Sequence, residues 1–530
     1  MGSSRPPLAN LGIARTGNLS DLPEELIHVN PVVTGTVTGT ATVTVTGGLV
    51  RGEIRDGVAR YLGVPYAADP TGPLRFQAPA PVIPWEGVRE ADRFGGTPPK
   101  PPYREPFATL LNDPDVPGTD CLTVNIWSQE ANRGGLPVMV WIHGGAFGNG
   151  NSAVPLYDGH AFARDGVVLV SINYRLGIEG FALLPDAPSN RGLLDQIAAL
   201  EWVRDNIAAF GGDPGNVTVF GESAGAMSIT TLLAMPRAEG LFHKAITQSG
   251  SIQAAATPQD AALVSKELGL LLGVETTAAN LVELDQETYL AAQRELADAL
   301  DDEPDPDRFG ATIVAGLFPF VPIIDGELLP AHPLAAITDG AGAGVTLLTG
   351  TNTEEHRLFL VPTGVVGALT EEMLTGHLGA MGVAPSVTDV YRTARPGAMP
   401  GELLSAILTD TYFRLPAFAV AGARSAGPAP TFVYEFTWRS PASDLGCCHA
   451  LEIGFVFDNL HAEGNEALTG PNPPQELATL MHQTWITFAR TGDPGWAAFD
   501  TTHPVMTFGG TGAEVVKDPR GAERLAWPES

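Results

Sequence analysis

Residues 216–235 read NVTVFGESAGAMSITTLLAM, and their reading decides the fold. NVTVF is a short β-branched and aromatic run, the composition of a buried strand. The apolar stretch that follows has helical character. Between them Gly221-Glu222-Ser223-Ala224-Gly225 fits the pattern G-x-S-x-G, a tight strand-to-helix turn that leaves the serine exposed. Small residues two before and two after that serine let the backbone fold closely. At the helix N-terminus the dipole and the free N–H groups favour the negative charge that develops in acyl transfer. Ser223 is therefore the candidate nucleophile.

Outward from this stretch, strand-like runs recur at PVMVWIHGG (137–145), GVVLVSINYR (166–175), KAITQSG (244–250), VTLLTGTN (345–352) and TFVYEFTW (431–438). Helical patterns lie between them, notably GLLDQIAALEWVRDNIAAF (192–210). Buried strands alternating with helices predict an α/β fold, with a mostly parallel sheet covered by helices on both faces. Sites in such sheets form where strands end. The residues just after the strands are Gly144, Gly145, Ser223, Ser249 and Glu355. Residues 1–41 are expected to be a flexible tail merging into a first strand. Residues 42–530 are expected to form one catalytic domain with loop and helical insertions over the site. PPKPPYREP (98–106) and ADALDDEPDPD (297–307) are read as surface loops.

The composition narrows the partners. The chain has 530 residues, 44% hydrophobic and 17% charged, as in a globular protein. Its net charge of −30 repels phosphates, so neither nucleic acid nor an anionic membrane is expected as partner. No apolar run of about 18 residues predicts a membrane span. The three cysteines, Cys121, Cys447 and Cys448, give no disulfide framework. The first 30 residues lack the apolar core of a signal peptide. A cytoplasmic location is slightly favoured, and a trimmed secreted form stays open.

A serine nucleophile needs an imidazole to take its proton and a carboxylate to orient that imidazole. His449 follows TFVYEFTW late in the chain, as the order Ser…Asp/Glu…His requires. Glu355 and its neighbour Glu354 follow VTLLTG and compete for the role of acid. His143 opens the glycine-rich WIHGGAFGNG (141–150) and is read as shaping that loop. Glycines there let N–H groups face a developing oxyanion. Gly145, Ala146 and Ala224 are the candidate donors, and Glu222, next to the serine, is a candidate support of the catalytic group. Phe147, Phe318, Phe320 and Phe413 are candidate walls of an apolar substrate pocket. Cys447-Cys448-His449 also invites a thiol or metal reading. Adjacent cysteines point apart, however, and no partner motif with zinc spacing accompanies them, so no metal is expected.

The chain resembles the type-B carboxylesterase family, which includes cholinesterases and bacterial carboxylesterases. The likeness runs from about Val43 to about Phe508. It includes YLGVPYAADP, TDCLTVNIW, PVMVWIHGGAF, NYRLG, GDPGNVTVFGESAGA, VPIIDGELLP, CCHALEIGFVF and WITFARTGDPGW. The resemblance implies an α/β-hydrolase fold, a Ser-Glu-His triad of Ser223, Glu355 and His449, and hydrolysis of a small-molecule carboxylic ester without a cofactor. The family's acid lies five residues after a strand-ending glycine, and counting from Gly350 selects Glu355. Ser249 resembles the family's serine that supports the acid. The chain departs from the family pattern at His356, where glycine is usual after the acid, and at Ala146, where cholinesterases have glycine. No cysteine precedes Cys121 to pair with it. Asp120 replaces the usual glutamate and is expected to pair with Arg75. Carbamates, lactones and polyester fragments remain alternative substrates on the same triad. A non-catalytic, neuroligin-like binding protein is the alternative of another class. Its relatives lack the serine that is present here.

Overall fold

The computed structural model describes residues 36–129, 134–250, 254–510 and 512–528. Most of the expected tail therefore lies outside the described residues. The sheet itself begins within that stretch, at Val37. Thirteen strands form one sheet: β1 Val37–Val45, β2 Gly48–Arg55, β3 Val58–Pro65, β4 Val88–Glu90, β5 Thr123–Gln129, β6 Leu136–Ile142, β7 Val168–Ile172, β8 Gly212–Glu222, β9 Lys244–Gln248, β10 Thr346–Asn352, β11 Thr431–Phe436, β12 Pro504–Gly509 and β13 Gly512–Lys517. The order is β1-β2-β3-β5-β7-β6-β8-β9-β10-β11-β12-β13, with β4 on the side of β2. From β7 through β12 every neighbour is parallel. Along that order both flanks are antiparallel, from β1 through β5 to β7 and at β12–β13, whereas β4 pairs with β2 in parallel.

The strand alternation shows why both faces are covered. In β6, Val138, Val140 and Ile142 face one core, which they share with Val168, Val170, Val217 and Val219. Met139 and Trp141 face the other, with Leu169 and Phe220. On the first side the helix Arg191–Asn206 contributes Leu193, Ile197, Leu200 and Val203, at the three- and four-residue spacing of one helical stripe. On the second the helix Gln475–Thr491 contributes Leu477, Met481, Trp485 and Phe488 on the same rule. A period of two in the strands and about 3.6 in the helices places two apolar layers around one sheet.

A third core of helices lies beyond β10, with Leu374, Leu378, Leu403, Leu404 and Ile407 among its buried residues. It contains the helical run Pro400–Arg424, which by length and composition alone would pass for a membrane span. In the fold, 72% of its most apolar window is buried. Two loop expectations change. The acidic stretch 297–307 is helical up to Asp302, as the end of Gln286–Asp302, because Tyr289, Ala292, Leu296 and Leu300 keep a buried stripe through it. PPKPPYREP does not lie idle on the surface: Tyr103 and the residues just after it line the cavity described below.

Candidate active site

Ser223 stands between β8 and the helix Ala224–Leu233, with φ 54° and ψ −122°. An L-residue held there is strained, and such strain concentrates at functional sites. The two flanking glycines make the turn possible. A Cβ on Gly225 would lie 1.9 Å from the Ile142 carbonyl oxygen, and one on Gly221 2.5 Å from the same oxygen. The end of β6 therefore presses directly on the turn. The Ser223 N–H donates to the Gln248 carbonyl at 2.9 Å, which ties the turn to β9. Among the described residues Ser223 Oγ makes no hydrogen bond, and it faces a cavity.

β6 ends in the loop His143–Gly150. A Cβ on Gly144 would come within 3.2 Å of the Ser223 Cβ, so this loop lies against the serine. Gly145 and Ala146 both have positive φ, 108° and 54°. Their N–H groups, and that of Ala224 at the first helical position, donate to no partner among the described residues. His143 stacks on Tyr174 with ring centroids 4.5 Å apart, and its Nδ1 meets the Gly144 carbonyl at 2.8 Å. Burial pushes its pKa down to about 4, so it is a neutral, structural ring at physiological pH.

The ends of β10 and β11 bring the other two groups together. His449 Nδ1 lies 2.7 Å from Glu355 Oε2, and the His449 N–H donates to the Glu355 carbonyl at 3.2 Å. Glu355 is fully buried and its Oε1 accepts the Asn352 N–H at 2.7 Å. Glu354 points elsewhere: it pairs with Arg439 at 2.6 Å and accepts the Cys447 N–H at 2.9 Å. The imidazole of His449 lies between Phe413 and Phe359, with centroids 4.9 and 5.4 Å away.

His449 Nε2 approaches Glu222 Oε1 at 3.0 Å, a close ionic contact without hydrogen-bond alignment. Burial disfavours the His449 cation. The charges of Glu222 and Glu355 outweigh burial and lift its pKa to about 9. Burial, with the charges of Glu452 and Glu355, raises Glu222 to about 8 against the opposing pull of the His449 cation. Glu452, which the sequence reading passed over, is also fully buried. It accepts Gln248 Nε2 at 3.0 Å and Asn352 Nδ2 at 2.7 Å, and burial again raises its pKa. The available signal was a single carboxylate inside the apolar run LGCCHALEIGFVF (445–457).

The cavity above Ser223 measures about 240 Å³ and also holds Glu222, His449, Gly145 and Ala146. Its walls are mainly apolar, with Phe107, Leu110, Leu111, Phe318, Phe359 and Phe413. Two of the four expected pocket phenylalanines thus line it. Phe147 does not: it is fully buried, its ring packed on Phe181 at 4.9 Å, because its positive φ turns it away from the serine. Phe320 belongs to the main core. A larger cavity of about 560 Å³ opens near Arg60, Trp127 and Asp158, but none of the serine, histidine or oxyanion candidates faces it.

Other expectations resolve as follows. Ser249 donates its N–H to the Gly350 carbonyl at 2.8 Å, and its hydroxyl has no partner among the described residues, so no bond reaches Glu355. Arg75 pairs with Glu179 at 2.9 Å and lies over the Tyr289 ring, not with Asp120. Asp120 instead accepts the Gly96 N–H at 3.1 Å and faces Arg89 at 3.7 Å. Cys447 and Cys448 are fully buried, which pushes both thiols far above their ordinary range, and Cys447 Sγ donates to the Phe436 carbonyl. A thiol held in that form is a poor nucleophile and a poor metal ligand. Among the described residues no cluster of His, Cys, Asp and Glu is arranged to hold a metal.

Residues 39–514 match the Carboxylesterase family. The chain is 40% identical over 461 residues to a para-nitrobenzyl esterase of Bacillus subtilis (strain 168), covering 85% of this chain and 90% of that one. It is 34% identical over 483 residues to a phenmedipham hydrolase of Pseudarthrobacter oxydans, covering 88% and 94%. The crystal structure of a Geobacillus stearothermophilus carboxylesterase at pH 6.2 superposes with a TM-score of 0.79 at 35% identity, covering 92% of this chain and all of that one.

Proposed function

The chain belongs to the carboxylesterase family and hydrolyses carboxylic esters; from that premise we propose that it does so through an acyl-enzyme on Ser223, with His449 as base and acid and Glu355 as the group that orients it. The observation that supports this reading is the 2.7 Å contact of Glu355 with His449 Nδ1, in a histidine that lines the same cavity as Ser223. In the first step Ser223 Oγ adds to the ester carbonyl, and its proton passes to His449 Nε2. The carbonyl oxygen takes the negative charge and accepts hydrogen bonds from the N–H groups of Gly145, Ala146 and Ala224. As the tetrahedral intermediate collapses, His449 gives the proton to the departing alcohol. Water then repeats the sequence on the acyl-enzyme, with His449 again as base, and the acid leaves. Glu355 holds the ring in the tautomer that presents a bare Nε2 and stabilises the imidazolium between steps.

The substrate we infer is a small, uncharged aryl or alkyl ester. A cavity of about 240 Å³ is small for a ligand site and has aromatic and aliphatic walls. The likeness to a para-nitrobenzyl esterase supports an aromatic alcohol or acid portion of modest size. A series of p-nitrophenyl esters from acetate to decanoate, with p-nitrobenzyl acetate beside them, tests this. The expected kcat/KM is highest for short acyl chains and falls for long ones. A maximum at decanoate would overturn the size argument.

A further inference from the structure

The segment that begins with PPKPPYREP lies over the site, and its two ends are joined. Lys100 Nζ lies 2.6 Å from Asp113 Oδ2, and both side chains are only 5% exposed. Lys100 Nζ also meets the Asp113 carbonyl at 3.5 Å. Between these ends the segment supplies Tyr103, Phe107, Leu110 and Leu111 to the cavity. The closed ends grip the loop that carries the oxyanion donors. Asp113 Oδ2 accepts the Gly150 N–H at 3.2 Å, and its Oδ1 accepts Asn151 Nδ2 at 2.7 Å. Asn151 Nδ2 also reaches the Pro114 carbonyl at 2.9 Å, and Asn149 Nδ2 reaches the Pro101 carbonyl at 2.5 Å.

That grip is transmitted to the donors because the loop folds back on itself. The N–H groups of Gly148 and Asn149 both donate to the Gly145 carbonyl, at 3.0 and 2.8 Å. A Cβ on Gly145 would lie 2.2 Å from the Asn149 carbonyl oxygen, and one on Gly150 2.4 Å from that of Gly144. With no space left between its two limbs, the position of Gly150 sets the position of Gly144 and Gly145. We infer that Asp113, braced by Lys100, is a positioning residue for the oxyanion loop, and that the segment from Lys100 to Asp113 is a strap that fixes the donors. This rests on the reading of Ser223 as nucleophile and of Gly145 and Ala146 as donors.

The strap acts in the transition state, when the carbonyl oxygen moves into the donors, and not in binding the neutral ester. The test compares two double variants, neither of which strands a lone buried charge. In Lys100→Met with Asp113→Asn, the amide oxygen can still accept from Gly150. In Lys100→Met with Asp113→Leu, nothing can. For p-nitrophenyl acetate the leucine variant is expected to lose about 10- to 100-fold in kcat with little change in KM, the scale of a small displacement at an oxyanion hole. The asparagine variant keeps the tie to Gly150 but turns its NH2 against Asn151 Nδ2, so its kcat is expected to fall between wild type and the leucine variant.

An aryl trifluoromethyl ketone gives the specific readout. Ser223 adds to its carbonyl and the resulting oxyanion rests on the same donors, so its Ki should rise in the leucine variant by the factor lost in kcat. A folded leucine variant with wild-type kcat, or one that loses kcat with an unchanged ketone Ki, overturns the inference. If the leucine variant does not fold, Asn151→Ala removes the ties to Asp113 and to the Pro114 carbonyl and no charge. It should lower kcat and ketone affinity together, and no change in either overturns the inference. Ser223→Ala is assayed alongside: hydrolysis retained there defeats the reading of the site itself, whatever Asp113 does.

Discussion

Replacing Glu355 by glutamine is the sharpest perturbation of the proposed relay. The carboxylate uses its two oxygens separately, one for the Asn352 N–H and one for His449, both at 2.7 Å. Both partners are donors when His449 serves as base, so an amide must turn its NH2 against one of them. The ring then loses its anchor or adopts the wrong tautomer, and the imidazolium loses its counter-charge. At 2.7 Å and an effective dielectric constant near 20, that charge pair is worth roughly 6 kcal/mol. Part of it survives as the amide dipole, so the expected fall in kcat is about 10³- to 10⁴-fold, the scale seen when the orienting carboxylate of a serine triad becomes an amide. The assay is steady-state hydrolysis of p-nitrophenyl acetate, with thermal unfolding to show that the variant is folded. Glu354→Gln is the matched control, since Glu354 spends its oxygens on Arg439 and the Cys447 N–H. It should keep kcat within about threefold, as expected of a residue outside the chemistry. A Glu355→Gln enzyme within tenfold of wild type, or a Glu354→Gln enzyme as crippled as expected for Glu355, would refute the reasoning.

Two more outcomes are expected. His449 must be neutral to accept the serine proton, and the charge of Glu222 is the largest single influence, ahead of the hydrogen bond and charge of Glu355 and the charge of Glu452, that raises it to about 9. Glu222→Gln removes a charge that favours the protonated ring, so the acid limb of the kcat/KM profile should move to lower pH; a limb that stays in place or rises would contradict the assignment. Cys447→Ala with Cys448→Ala should retain kcat, at a cost of about 1–3 kcal/mol in unfolding free energy for the buried volume and the lost contact to the Phe436 carbonyl. A folded but inactive double variant would show that the thiols take part in the chemistry.

Much of this site is legible in the sequence because its physics is local. The nucleophile turn needs glycines at 221 and 225, and the Ile142 carbonyl shows why no side chain fits there. The strand runs that precede Gly144, Ser223, Ser249 and Glu355 predict where chemistry gathers, since the parallel strands β6, β8, β9 and β10 lie side by side in that order in the sheet. What the sequence conceals is contact between distant segments. Lys100 lies in the Pro-rich stretch 98–106 that reads as a surface loop, Asp113 lies beyond its end, and only folding places the two together against residues 149–151. Phe147 follows the oxyanion donors directly, so its place in the chain suggests a pocket wall, but a positive φ sends its ring into the core beside Phe181. Arg75 has several acids within plausible reach, and it is Tyr289 and Glu179, far along the chain from it, that claim it.

The central claim is a covalent intermediate on Ser223, and trapping it tests that claim most directly. Wild-type enzyme mixed with p-nitrophenyl acetate, quenched in acid within milliseconds and digested, should carry one acetyl group on the peptide spanning residues 216–235. A fluorophosphonate should label the same serine and abolish activity in equal proportion, and Ser223→Ala should show neither adduct nor turnover. An acetyl or phosphonyl group found on Cys447, Cys448 or any serine other than Ser223, or undiminished hydrolysis by Ser223→Ala, would contradict the account.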